Sequence, residues 1–545
     1  MYTTVAIVAA LTIGAEPFDR DQLRKAVGMP TYIVQPGLAI DVFGQIHVGE
    51  SAADKRQATA AGELALRADP ENPERCRELL HLYERTHEYR NIPSVRDRAL
   101  RLYRARLDKQ PNDGLTLARY AECLDWSKQA DEADSALRRA VALAPGEWEC
   151  WVIRSRVLIH RAMELVHANQ EDPFTATQAI QTAIHRGEVS SATLAGAQAL
   201  FDESFRCLDK AIAAAPKQPR IYIIRFSSLT PRFALDYAMN CLKGLPVDTI
   251  SGFDKVQKQG LADLRRAADV APDDFRIVGA LICSELTAVK AFETSCPLEE
   301  IAGLSADTVN TIRRTMVRLE QVAAGANPAD AVQAAELLAI ITCRRKESLL
   351  AEDCLKQILR RDPSIESAWD SLVLLVAHRP NHTSEELVAI CRDRLRHQDV
   401  ARTRLVLAKA FVEANRMAEA KQELEEALRK EPDDFMCLIG LASVLLQAGN
   451  DADLKRVGEL LDKADSIGKN PETSDRTRKA VNFAAPRIAY FALTGQFEQA
   501  SRWFDTMSGL GWSDERVQKM KQILGTHALA PVPGIGVYPA SGPVK

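Results

Sequence analysis

A chain of 545 residues is longer than one hydrophobic core usually organises, so it holds three or four globular domains or one repeat array. Its 70 Lys and Arg stand against 74 Asp and Glu, which argues against a dedicated binder of nucleic acid or of an anionic membrane surface. With 46% hydrophobic and 26% charged residues it reads as folded, and an aromatic content of 6% beside abundant Ala and Leu favours helices.

The first fifteen residues carry an apolar run, Val5–Leu11, followed by the small residues Gly14 and Ala15. Two readings stand: a buried element of an N-terminal cap, or a signal peptide cleaved before Glu16. No Lys or Arg precedes Arg20, and the run is too short to be an integral membrane span. Eleven cysteines without any Cys-x-x-Cys, most of them inside helical patterns, suit a reducing compartment. They favour a cytoplasmic chain over an exported one.

Residues 16–54 read as the cap itself. Phe18 to Gly28 is predicted as a short helix stopped by Gly28. Thr31 to Val48 is β-rich, with Pro36-Gly37 as a turn, and reads as a hairpin or an extended cover for the exposed end of a stack.

From residue 55 onward one punctuation recurs. Pro followed by Asp or Asn appears at Pro111-Asn112-Asp113, Pro272-Asp273-Asp274 and Pro432-Asp433-Asp434, with related turns at Pro70, Pro145, Pro216 and Pro363. Pro stops one helix, and the carboxylate that follows caps the free N–H groups of the next. The repeated Asp-Asp pairs therefore read as helix caps, not as catalytic carboxylates, which have no reason to follow a structural period. Pro111 to Pro145 is 34 residues, while Pro363 to Pro432 and Pro145 to Pro216 are close to twice that.

Within these units small and large apolar residues alternate at helical spacing. Ala401–Asp434 offers Leu407, Ala408 and Phe411, then Ala420, Leu424, Ala427 and Leu428. Gly114–Glu147 offers Tyr120, Ala121 and Leu124, then Ala133, Leu137, Ala140 and Val141. The unit ending at Pro363 has Leu338, Ala339, Ala351, Leu355, Ile358 and Leu359, and Gly495, Phe497, Ala500 and Phe504 match part of another. The pattern resembles the tetratricopeptide repeat (TPR) family, a helix–turn–helix unit of about 34 residues. The resemblance implies an all-α, right-handed solenoid of helical hairpins over residues 55–524 behind a short irregular N-terminal cap. Arg154 and Ser155 depart from the family's large-then-small pattern, and Arg225 breaks the same place in the next unit. A long connection is expected around Gly187, Ser513–Leu524 reads as a solvating last helix, and the Gly- and Pro-rich tail 525–545 as flexible.

Chemistry is sparse. Phosphate-loop, nucleophile-elbow and zinc-helix motifs are missing, and no cofactor is implied. His160, Glu164 and His167 share one face of a continuous helix, a weak metal-like signal echoed by Glu84 and His87. Polar surface residues of a long helix are the favoured reading, and a metal-dependent enzyme on a helical scaffold is the alternative. The resemblance implies a non-catalytic scaffold that receives a protein or peptide segment on a concave surface lined by the first helices. Arg156, Arg220, Arg402, Lys409 and the acidic Glu122 are the groove candidates. A basic stripe would suit an acidic peptide or a C-terminal carboxylate. The family's Lys–Asn carboxylate clamp is missing, since Leu405 and Val406 stand near Lys409.

Overall fold

A computed structural model describes residues 20–27, 29, 38–40, 46–48, 52–86, 88–166, 189–242, 250–289, 296–343, 345, 347–379, 381–468, 476–509 and 515–524. The apolar run of residues 1–15, the Pro36-Gly37 turn, Gly187 and the tail 525–545 lie outside them.

The punctuation does what elementary helix chemistry requires. Asp113 accepts from the Thr116 N–H at 3.1 Å, Asp274 from Arg276 at 2.9 Å and Asp434 from Cys437 at 2.7 Å. The leading Asp of each doublet has another use. Asp273 pairs with Arg318 at 3.3 Å and Asp433 with Lys463 at 2.9 Å, each cation standing on the second helix of its own hairpin. Those cations also donate to the carbonyls of Pro272 and Pro432, as Arg139 does to that of Pro111. From the other side, Trp151, Tyr222 and Trp369 donate to the carbonyls of Pro145, Pro216 and Pro363 at 2.9–3.1 Å. The turn carbonyls that Pro frees from a helix ladder are thus satisfied by side chains of the hairpin that follows.

The chain divides into two units. The larger holds residues 35–380. Its helix pairs are Pro73–Arg85 with Ile92–Lys109, Gly114–Trp126 with Ala130–Leu143, Trp148–Leu165 with Ser191–Ala214, Pro219–Leu242 with Ile250–Val270, Phe275–Ala288 with Ala306–Ala323, and Pro328–Thr342 with Ser348–Arg361. Helix Ala52–Ala68 precedes them and Glu366–His378 follows. Two short antiparallel strands, Leu38–Ile40 and Ile46–Val48, pair with Leu38 opposite Val48. The second strand lies against the first helices Phe275–Ala288 and Pro328–Thr342.

The smaller unit holds Ser384–His397, the pairs Ala401–Glu413 with Met417–Lys430, Phe435–Gln447 with Leu454–Gly468, and Arg476–Leu493 with Phe497–Gly509, and then Glu515–Leu524. Helix Arg20–Ala26 belongs to this unit. It packs against Phe435–Gln447, Arg476–Leu493 and Glu515–Leu524. The last helix is therefore more than a solvating one. Its Met520 and Leu524 are fully buried.

In both units first helices pack on their own second helices and on neighbouring first helices. The apolar core consequently runs from hairpin to hairpin, as in the cluster joining Ala118, Ala121, Leu137 and Ala140 to Ile153, Leu208 and Ile221. Gly440 shows how closely first helices approach: a Cβ there would stand 2.8 Å from Leu405 Cδ1. Most described cysteines are buried in this packing and behave as small apolar residues. Burial pushes the thiols of Cys207 and Cys283 up to about 11 and about 12. No described helix is long and apolar enough to cross a membrane.

Candidate interaction face

Pro73–Arg85, Gly114–Trp126 and Trp148–Leu165 are successive first helices, and His81, Glu122 and Arg156 stand at the same place in each. Packing in register brings the three side chains together. Glu122 accepts from Arg77 Nε at 2.6 Å, lies 3.3 Å from His81 Nε2 and pairs with Arg156. The Glu122 and Arg156 side chains are only 6% and 9% exposed. In so little water the attraction is strong, and each ion depends on the others to offset its lost hydration.

The ladder continues along the face. Glu149 accepts from Arg119 at 2.9 Å and lies 3.2 Å from Arg77. Glu74 lies 2.9 Å from Arg119 and accepts from the Tyr103 hydroxyl at 3.0 Å. Burial alone would raise the Glu149 carboxyl. The Arg119 hydrogen bond and the charges of Arg77, Arg119 and Arg220 outweigh it and hold the group below the usual carboxylate range. Arg220 therefore acts on this ladder from the next first helix, Pro219–Leu242.

One turn further on, the Nδ1–H of His160 donates to Asp125 at 2.8 Å, and its Nε2 is 3.8 Å from Glu164. The hydrogen bond to Asp125 raises the imidazole to about 9, against the opposing effect of burial. Burial pushes the nearby Glu84 carboxyl up, although Trp126 Nε1 donates to it at 3.2 Å. His160 and Glu164 thus do share a helix face, but the imidazole is committed to Asp125. His167 and His87 lie outside the described residues, among which no group of three His, Cys, Asp or Glu is arranged to hold a metal ion.

Arg402 and Lys409 belong to the smaller unit, on first helix Ala401–Glu413, and both are half-buried. Lys409 lies 3.9 Å from Glu413, one turn along the same helix. The five groove candidates therefore divide. Glu122 and Arg156 hold each other, Arg220 supports Glu149, and Arg402 and Lys409 sit about two turns apart on one helix.

The packing of first helices on their partners and neighbours settles the fold. It is a TPR-like array of helical hairpins. No protein-family model matches the chain, and no curated protein matches it. Among solved structures it is similar to yeast Tom70, with 11% identity over 86% of this chain and 92% of that one and a TM-score of 0.38. It is similar also to the APC/C heterotetramer Cut9-Hcn1, with 14% identity over 87% and 88% of the two chains and a TM-score of 0.31. A tetratricopeptide repeat protein from Parabacteroides merdae shows 12% identity over 68% of this chain and 98% of that one, with a TM-score of 0.31. Likenesses of this size set no function for the TPR-like array.

Two residues that depart from the family's pattern turn out to be half-buried members of interhelical ion pairs. Arg154 pairs with Glu203, and Arg225 donates from Nε to both Asp263 oxygens at 3.0 Å and from a terminal nitrogen to Asp209 at 2.7 Å. Arg154 and Arg225 stand at the same place in successive first helices, and each reaches a carboxylate on its own second helix. The fully buried Ser155 bonds Ser204 across the same hairpin at 2.7 Å. An Arg at a recurring core position was the available signal.

Proposed function

We propose that the chain is a non-catalytic scaffold that binds a segment of a partner protein along the faces of its first helices. The observation that carries this reading is the ladder Glu74–Arg119–Glu149–Arg77–Glu122–Arg156, in which charged side chains of three successive first helices fix one another. Such a face is rigid and polar before any partner arrives, so little side-chain entropy is lost on binding. Glu122 and Arg156 give it shape. In the smaller unit the candidate face is a separate one, where the half-buried Arg402 and Lys409 offer positive charge that suits an acidic peptide or a C-terminal carboxylate.

The test is charge reversal. Arg402→Glu with Lys409→Glu is expected to keep the helical circular dichroism of the parent and to weaken capture of its partner in a pull-down at least tenfold. Unchanged capture moves the binding face elsewhere. For the setting, we propose a reducing compartment. Eight of the ten cysteines whose side chains are described are buried free thiols, which supports it. N-terminal sequencing of the mature chain decides: a start at Glu16 means export.

A further inference from the structure

Helix Arg20–Ala26 is placed unlike a terminal cover. A cover lies on the last hairpin, first and second helix together, whereas this one lies on three helices of the first-helix row, Phe435–Gln447, Arg476–Leu493 and Glu515–Leu524. Its Leu23, Ala26 and Val27 are buried there. Its cations reach the C-terminal ends of two of those helices. Arg20 and Arg24 both pair with Asp451, in the turn after Phe435–Gln447, and Arg20 donates to the Leu493 carbonyl at 3.4 Å. A guanidinium at a helix C-terminus is favoured by the helix dipole.

The other N-terminal element behaves alike in the larger unit, where strand Ile46–Val48 runs against the first helices Phe275–Ala288 and Pro328–Thr342. Residues Ala334–Ala339 and Cys437–Leu446 are buried on every side. In each case an N-terminal element lies on the helix concerned.

We infer that the N-terminal segment is the array's own ligand: helix Arg20–Ala26 and strand Ile46–Val48 occupy first-helix faces that a partner segment must claim by displacing them. This rests on the reading of first-helix faces as docking surfaces and adds their resident occupant. Its chemistry also describes the partner that competes best in the smaller unit, a short amphipathic helix with two cations one turn apart and an apolar edge. The hold is suited to exchange. Seven residues do not make a stable helix alone, and the shared carboxylate, Asp451, is 61% exposed. Tethering supplies the effective concentration that keeps the site filled.

The experiment uses the full chain with Leu23→Asp and Arg24→Asp, and a fluorescent peptide with the sequence of residues 18–30, followed by anisotropy. The peptide is expected to bind the variant at least tenfold more tightly than the parent, and Asp451→Arg added to the variant is expected to abolish that gain. Equal binding to parent and variant, or none to a variant with the parent's helical content, overturns the inference. Hydrogen exchange on the unaltered chain decides independently of whether the variant folds. Helix Arg20–Ala26 is expected to exchange at least a hundredfold faster than Arg476–Leu493 beneath it, and equal rates would make it a fixed part of the core. Failure of these tests leaves the Arg402 and Lys409 pull-down to judge the scaffold reading by itself.

Discussion

Glu122 closes on Arg156, the residue at its own place in the next repeat, and both are buried. The pairing is unequal, because Glu122 is also the acceptor for Arg77. Glu122→Ala leaves two guanidiniums facing each other in low dielectric and is expected to cost about 3–5 kcal/mol. Arg156→Ala leaves Glu122 with Arg77 and His81 and is expected to cost less than half as much. Urea unfolding of both variants and of the double variant measures the difference, and equal losses would contradict the shared-acceptor arrangement.

Asp125 holds the His160 imidazole protonated to about pH 9, above its ordinary 6.5. A group whose folded value is raised stabilises the fold fully below the unfolded value and ceases to do so as pH rises through the folded one. The contribution of His160 is therefore expected to be lost between about pH 6.5 and 9. NMR titration of the imidazole is expected to show a midpoint near 9 that returns toward 6.5 in Asp125→Asn. A midpoint unmoved by that substitution would assign the shift to other groups.

Asp263 is 3% exposed and depends on Arg225. Burial raises its carboxyl, and the Arg225 hydrogen bonds oppose that rise. Arg225→Ala strands the carboxylate and is expected to cost about 3–5 kcal/mol. Asp263→Asn added to Arg225→Ala removes the stranded charge and is expected to recover about 1–2 kcal/mol. A double variant no more stable than the single one in urea would refute the pairing.

Gly114 opens a first helix against the end of helix Ala130–Leu143. A Cβ there would stand 2.7 Å from that of Ala144 and 2.9 Å from the Ala140 carbonyl oxygen. Backbone must move to admit it, so Gly114→Ala is expected to cost about 1–3 kcal/mol despite the better helix propensity of Ala. Gly146, with open space around its Cβ position, is the control, and Gly146→Ala is expected to leave the urea midpoint within error. Equal effects at the two sites would exclude the packing explanation.

The hairpins were legible because their signals are local. Asp113, Asp274 and Asp434 cap helices within three residues of themselves, and Pro111, Pro272 and Pro432 end the preceding ones. The interhelical ion pairs were not, because their members are remote: Arg154 and Glu203 are 49 residues apart, Arg225 and Asp263 are 38. Read alone, an Arg at a core position looks like a broken repeat. The site of helix Arg20–Ala26 was still less accessible, since Asp451 lies 431 residues from Arg20. For the interaction face, opposite charges at equivalent places of neighbouring repeats, Glu122 and Arg156, were a usable clue. They predicted a charged face but not that its charges would neutralise each other.

The buried cysteines give the array a chemical clock. Only a thiolate attacks an alkylating reagent, and burial keeps Cys150, Cys283 and Cys391 protonated up to about 12. Each reacts only when its own stretch of helices comes apart, and such stretches open with different free energies along a repeat protein. Cys76, Cys150, Cys207, Cys283, Cys354, Cys391 and Cys437 each stand on a different helix along the chain. The order in which iodoacetamide labels them, read by mass spectrometry without any substitution, is the order in which the array unzips.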